Sequence, residues 1–212
     1  MISMKRTVNT AIILAGGSSK RMGRDKTHLN LKGKSLIEIV VDKLVSIFTE
    51  VIIAGNTGED LSHLPVVFTR DIIVKPFKNS LTGVHAGLSR SSSEYSFVVA
   101  CDMPFLNLEL VDFMSSFPVK GYDALVPKVK EGHQALHSVY SKSCIPHLKE
   151  HLEKDSFRIG YFITRIKTKY IPQEDIEKYD PKLLSFFNIN TKEDYQKALM
   201  LVEENPDLIS LK

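Results

Sequence analysis

Thr10-Ala11-Ile12-Ile13-Leu14-Ala15, halted by Gly16-Gly17, is the stretch from which the fold is read. It is short, β-branched and apolar on both alternating faces, which predicts a strand buried on both sides. Strands of that kind belong to parallel sheets covered by helices. Outward from it, Val51-Ile52-Ile53-Ala54, Val66-Val67-Phe68 and Ser96-Phe97-Val98-Val99-Ala100-Cys101 repeat the pattern. Between them lie stretches of helical period: Ser35 to Phe48, whose apolar positions span more than one stripe, and the small-residue run Thr82 to Ser91. Strand alternating with helix implies βαβ units. In the second half, Asn107 to Phe117 and Cys144 to Leu152 read as helices. Asp123 to Val126, Leu136 to Tyr140 and Phe186 to Ile189 read as strands. Thr191, with Asp194 three residues on, is placed to cap a last helix. The expected fold class is α/β: a Rossmann-like three-layer sandwich, its mostly parallel sheet flanked by helices on both faces. No linker or internal repeat divides residues 1–212, so one domain is expected.

Composition narrows the function. With 43% hydrophobic and 25% charged residues in 212, the chain is of ordinary globular type, neither disordered nor a disulfide scaffold. Its 28 Lys and Arg exceed its 25 Asp and Glu by only +3, too little to hold nucleic acid or a membrane by bulk charge, so neither is expected as a partner. Two cysteines, Cys101 and Cys144, make no framework and read as reduced thiols. Met1 to Arg6 leads into no apolar leader segment, and no run of about 18 apolar residues occurs, so a cytoplasmic location is expected.

The chemistry starts where the first strand stops. Gly16 and Gly17 let the main chain come close to a ligand, and the amides from Leu14 and Ala15 through Gly16 and Gly17 can face an anion at a strand end. Lys20, Arg21, Arg24 and Lys26 then place four cations in seven residues, a loop suited to several phosphates. Two familiar phosphate loops fail on spacing. Five residues separate Gly17 from Gly23 and Lys26 comes three later, unlike a P-loop, and G-x-G-x-x-G is absent. Asp102 comes just after the strand ending at Cys101. Ligands of open α/β sheets bind at such strand ends, and a carboxylate facing a cationic phosphate loop is a hard ligand for Mg2+. The alternative for Asp102 is a turn cap ahead of Pro104.

These residues carry a resemblance. Leu14-Ala15-Gly16-Gly17-Ser18-Ser19-Lys20-Arg21-Met22-Gly23-Arg24-Asp25-Lys26 resembles the opening motif of the MobA-like nucleotidyltransferases, the family of the molybdenum cofactor guanylyltransferases. Leu29 to Leu36 resembles its L-x-x-x-G-K-P-L segment, with Ser35 for proline. Asn79-Ser80-Leu81-Thr82-Gly83 resembles G-P-L-x-G without the Gly-Pro pair. Cys101-Asp102-Met103-Pro104-Phe105-Leu106 resembles C-D-x-P-F-L, Gln134 to Tyr140 resembles Q-P-L-H-A-V-Y, and Phe187 to Asp194 resembles the family's final N-I-N-T segment. The matches run in order from Leu14 to Asp194. The resemblance implies transfer of GMP from GTP to the molybdopterin form of the molybdenum cofactor, with release of pyrophosphate, and transient protein partners in cofactor delivery. It implies that the N-terminal half binds GTP and the C-terminal half the acceptor. By this resemblance Asp71 contacts the nucleotide and Asp102 binds the metal, Mg2+. By the same resemblance Arg158 sits at the family's G-x-R motif, whose arginine meets the phosphorylated acceptor, or else it is a surface cation. Where the family has a nucleotide-contacting asparagine this chain has Ala54, with Asn56 two residues on.

In line with that chemistry, Arg21 and Lys26 are expected to stabilise charge developing on the α-phosphoryl group and pyrophosphate, while Leu14 and Asp71 choose the base. The acceptor phosphate is largely ionised at neutral pH, so no strong general base is needed; the obstacle is repulsion between two polyanions. Asn188 and Asn190, alternating on the expected last strand, would face one side as acceptor contacts, or else form turns. His147-Leu148-Lys149-Glu150-His151 fits a zinc-protease pattern but reads better as a solvated helix face. His137 matches the family pattern and reads either as a substrate contact or as a core residue. Cys101 reads as packing. Other readings of the fold are transfer of CMP, transfer to a sugar phosphate, and GTP binding without catalysis.

Overall fold

The computed structural model describes residues 7–15, 29–55, 61–76 and 79–210. In chain order these form β1 (Thr10–Leu14), a short ladder of β2 (Asn30–Leu31) and β3 (Lys34–Ser35), α1 (Leu36–Val45), β4 (Glu50–Ala54), β5 (Val67–Thr69), α2 (Ser80–Arg90), β6 (Tyr95–Ala100) and α3 (Leu108–Ser116). Next come β7 (Ala124–Val129), β8 (Gly132–His133), β9 (His137–Ser141), α4 (Cys144–Glu153), α5 (Ile159–Phe162), β10 (Thr168–Pro172) and α6 (Gln173–Ile176). A 3-10 turn (Leu184–Phe186), α7 (Lys192–Glu204) and a second 3-10 turn (Pro206–Ile209) complete them.

All strands but β2 and β3 share one sheet of order β10-β7-β9-β6-β1-β4-β5, with β8 paired to β7. Strand β1 lies between β4 and β6, parallel to both, with Leu14 level with Ala54 and Ala100. Strand β5 extends the parallel set beyond β4, and β10 runs parallel to β7; β9 is antiparallel to both of its neighbours. From β1 the chain moves out to β4 and β5, then crosses to β6 on the other side. The strand order therefore reverses at β1, and a crevice opens at the carboxyl ends of β1, β4 and β6.

The continuous apolar run of β1 is explained by its two covered faces. Ala11 and Ile13 enter one core with Ile37, Val40 and Leu44 of α1 and Leu110 and Met114 of α3. Ile12 and Leu14 enter the other with Leu81, Val84 and Leu88 of α2 and Leu148 of α4. Helix α7 joins α1 through a third cluster, Ala198 and Val202 against Leu36 and Ile39. The small residues of α2 reflect its closeness to the sheet: a Cβ on Gly87 would strike the Ile12 side chain.

Local signals set the helix starts. Ser35, which stands where the family pattern has proline, closes a capping box on α1. Its Oγ accepts the Glu38 N–H at 3.4 Å, and its own N–H donates to the Glu38 carboxylate at 2.8 Å. Hydrogen bonds from the Ser35 hydroxyl (2.7 Å) and then from its backbone N–H hold the Glu38 carboxyl below the usual range. Thr191 and Asp194 form the same box on α7, as expected. No helix among the described residues is long and apolar enough to cross a membrane.

One element differs from expectation. Phe186 to Ile189 is no strand. Leu183, at φ +53°, turns the chain into a 3-10 turn, and the Asp180 carboxylate accepts the N–H groups of Leu184 (3.1 Å) and Ser185 (2.8 Å). The Ile189 N–H then donates to the Asp102 carbonyl at 3.0 Å instead of to a neighbouring strand. Asn188 and Asn190 therefore do not share a strand face, and the alternation that grouped them fails. β10 escaped the sequence pattern for a physical reason: it is an edge strand, bonded only to β7 and half exposed, so it lacks the apolar run of the central strands.

Candidate active site

The segments that leave the carboxyl ends of the parallel strands build the crevice. After β1, the Ala15 N–H donates to the Ala54 carbonyl at 2.9 Å and the Leu14 carbonyl accepts the Cys101 N–H at 3.2 Å, so the three strand ends are locked together. Ala15 is buried and its amide is engaged in that lock. The loop that leaves this point, with Gly16, Gly17, Arg21 and Lys26, lies outside the described residues, as does Asn56.

A cavity of about 350 Å³ lies at the carboxyl ends of β1 and β4, against the start of α2. Leu14, Ala54, Asp71, Val74, Asn79 and Thr82 are among its walls. Its lining mixes apolar and polar residues, as in small-molecule sites generally. Asp71, half-buried after β5, is fixed by α2: Thr82 Oγ1 lies 3.1 Å from an Asp71 carboxylate oxygen and 2.9 Å from the Asn79 carbonyl. Thr82 occupies the free position of the family's L-x-G segment, so its part in holding Asp71 had no sequence signal. Ala54, where the family pattern has asparagine, is part of the wall, and its side chain offers no hydrogen bond.

Asp102 lies in a tight turn after β6, where the Met103 N–H donates to the Ala100 carbonyl at 3.2 Å. Met103 and Phe105 are buried beneath it, and Phe105 packs on Phe187 with ring centroids 5.7 Å apart. The bond from Ile189 brings the 188–190 segment alongside this turn. Asn188 is half-buried and donates to the Phe186 carbonyl at 3.1 Å; Asn190 is exposed. Both flank the Asp102 turn, though through a coil and not the expected strand. Arg158 is exposed just ahead of α5. Its segment is tied to the loop after Asp71 by Lys75, which pairs with Asp155 at 2.8 Å and lies 5.7 Å from the centre of the Phe157 ring.

Three sequence features resolve as structure. His137 is fully buried between Phe97 and Phe186, each ring edge-on at 5.0 Å, and neither nitrogen has a partner among the described residues. Burial lowers its pKa to about 3, so it is a neutral core aromatic. His147 and His151 do lie one turn apart on α4. Glu150, though, pairs with Lys154 at 2.6 Å, and His151 packs edge-on against Phe162. Among the described residues no group of three or more His, Cys, Asp or Glu could hold a metal ion. Cys101 is buried at the end of the β6 run.

Comparison with known proteins gives the family and the fold. A family model described as "MobA-like NTP transferase domain" matches residues 11–165. A protein of Natranaerobius thermophilus named "Probable molybdenum cofactor guanylyltransferase" is 38% identical over 89% of this chain and 94% of its own length. The "Molybdenum cofactor guanylyltransferase" of Desulfosudis oleivorans is 36% identical over 89% and 93%. The crystal structure of "Molybdopterin-guanine dinucleotide biosynthesis protein A" from Archaeoglobus fulgidus superposes with a TM-score of 0.80 at 29% identity, covering 92% of this chain and 99% of that one.

Proposed function

Because this chain belongs to the MobA-like NTP transferase family, we propose that it transfers GMP from GTP to the molybdopterin form of the molybdenum cofactor, releasing pyrophosphate. The observation that carries the reading is the cavity at the switch point of the sheet, walled by Asp71 and by Leu14, whose carbonyl accepts the N–H of Cys101, the neighbour of Asp102. The base and ribose occupy that cavity, with Asp71 as acceptor and Leu14 beneath the base. The triphosphate runs toward the glycine loop. The Ala15 amide is held by the Ala54 carbonyl and so takes no phosphate oxygen, and Gly16 and Gly17 are the contacts proposed for the phosphates.

The donor chemistry around Asp102 fits Mg2+. One hard carboxylate, without a cage of further ligands among the described residues, suits an ion that completes its shell with waters and phosphates. Asp102 would hold the ion, which would offset phosphate charge there. The remaining work falls to the chain's own residues. Arg21 and Lys26 offset the negative charge that gathers on the α-phosphoryl group and the leaving pyrophosphate. Arg158 orients the acceptor's phosphate through its planar fork. Asn188 and Asn190 line the acceptor's approach beside the Asp102 turn. The acceptor phosphate attacks in line without a general base, since it is already largely ionised. The N-terminal half thus serves GTP and the C-terminal half the acceptor, within one domain working in the cytoplasm.

A pyrophosphate-release assay with GTP or CTP, each with and without molybdopterin, tests the reading. Release is expected with GTP and molybdopterin together. Release with CTP alone among the nucleotides would make the protein a cytidylyltransferase. GTP binding without release would make it a non-catalytic binder.

A further inference from the structure

Asp155 stands at a position where a helix ordinarily ends on glycine. It follows the last turn of α4 at φ +52°. Its N–H donates to the Leu152 carbonyl (3.2 Å), and the Ser156 N–H donates to the His151 carbonyl (2.9 Å). That pair of bonds closes a helix through one left-handed residue, where a Cβ is strained. A carboxylate there also meets the negative end of the helix dipole. Backbone and dipole both disfavour an aspartate, so its advantage lies in what the carboxylate reaches. It reaches Lys75, 80 residues away in the chain, with Oδ1 2.8 Å from Nζ.

The pair joins two segments with different work. Lys75 directly follows Val74, which with Arg70 and Asp71 lines the cavity at the carboxyl ends of β1 and β4. Asp155 comes three residues ahead of Arg158. Ile73 on one side and Phe157 and Ile159 on the other rest on the same core, and Lys75 lies over the Phe157 ring with its side chain only 17% exposed. The lysine is therefore held in place before it meets its partner. The carboxylate is 72% exposed, so the pair adds little to stability in water. Its effect is on position. It sets the spacing between the cavity wall and Arg158, and a small misplacement of groups that orient a substrate costs far more in rate than a surface pair contributes to folding.

Resting on the guanylyl-transfer reading, we propose that Lys75 and Asp155 are positioning residues that hold Arg158 in register with the bound nucleotide. Asp155→Gly removes the carboxylate and suits the helix stop, and Lys75→Met keeps the apolar stem over Phe157 without the charge. The test measures steady-state transfer in the wild type and both variants, with GTP and molybdopterin varied separately and Tm as the check on folding. Asp155→Gly is expected to match or exceed the wild-type Tm and yet to raise KM for molybdopterin by about fivefold, with KM for GTP within about twofold. Lys75→Met is expected to raise the same KM. On an Arg158→Ala background Asp155→Gly is expected to add nothing, since the pair acts through that arginine. An unchanged KM for molybdopterin in either folded variant overturns the proposal, as does an equal rise in KM for GTP or a further rise on the Arg158→Ala background. Each of those results comes from a protein that still transfers GMP, so it removes the pair and leaves the guanylyl-transfer reading standing. A wild type that releases no pyrophosphate from GTP and molybdopterin removes both.

Discussion

Asp102 and His137 lie at opposite extremes of what a polar side chain does in this protein. Asp102 is held by its backbone, through the Ile189 N–H, so its carboxylate can be changed without loss of that tie. Asp102→Asn keeps the shape and removes the charge. Turnover is expected to fall by about two orders of magnitude, with the far-ultraviolet circular dichroism unchanged. A Mg2+ titration like that of the wild type would count against Asp102 as the metal ligand. His137 contributes through its ring alone. Its folded pKa, about 3, lies below the ordinary 6.5, so the folded state favours the neutral ring. Nothing is lost above pH 6.5. As pH falls from there toward 3, the unfolded chain takes up a proton that the folded chain refuses, and stability drops. Between pH 7 and pH 5 this one residue is expected to remove about 2 kcal/mol. Urea unfolding of His137→Leu at both pH values should show a correspondingly smaller loss than the wild type.

At the scale of the element, α2 does two jobs from one sequence. Its amino end forms a wall of the cavity at the carboxyl ends of β1 and β4 through Asn79, Thr82 and Gly83, and its middle presses on β1. Gly87 is the point of closest approach. Gly87→Ala gains about 1 kcal/mol of helix propensity but drives a methyl group into the buried Ile12 side chain, which costs more. A net loss of stability is expected in chemical denaturation. Gly160, in α5, makes the control: a Cβ there meets nothing within 4 Å, and Gly160→Ala is expected to be neutral or stabilising by up to about 1 kcal/mol. Destabilisation of equal size in both would show that α2 packs no closer than an ordinary helix.

At the scale of the whole molecule, Lys43 ties distant parts together. It is buried on α1 and donates to the carbonyls of Leu106 (2.9 Å), just beyond the Asp102 turn, and Leu208 (2.5 Å), in the last 3-10 turn. Burial lowers its pKa to about 8, and Asp180 works against that shift. Lys43→Ala cuts both ties. The expected loss is about 2–4 kcal/mol, or roughly 5–15 °C in Tm, with hydrogen exchange rising first around Leu208. A protein whose 206–210 segment stays protected in that variant would place the tie elsewhere.

Much of this was legible in the sequence. The α/β class, the parallel centre of the sheet, the cap at Thr191 and the family all arise from local patterns, because a strand covered on both faces must be apolar throughout and a helix start must satisfy its own amides. The position of Asp102 at a strand end was legible for the same reason. The rest depended on contacts between residues far apart in the chain, which no local pattern records. Asp71 is positioned by Thr82 of α2, His137 is made a neutral core ring by Phe97 and Phe186, and the 188–190 segment is taken from the sheet by the Asp102 carbonyl. Sequence by itself determined which elements form and which chemistry the chain carries. Only the tertiary structure decided which polar groups stand in the cavity wall, because the bond that holds Asp71 there comes from Thr82, eleven residues on in α2.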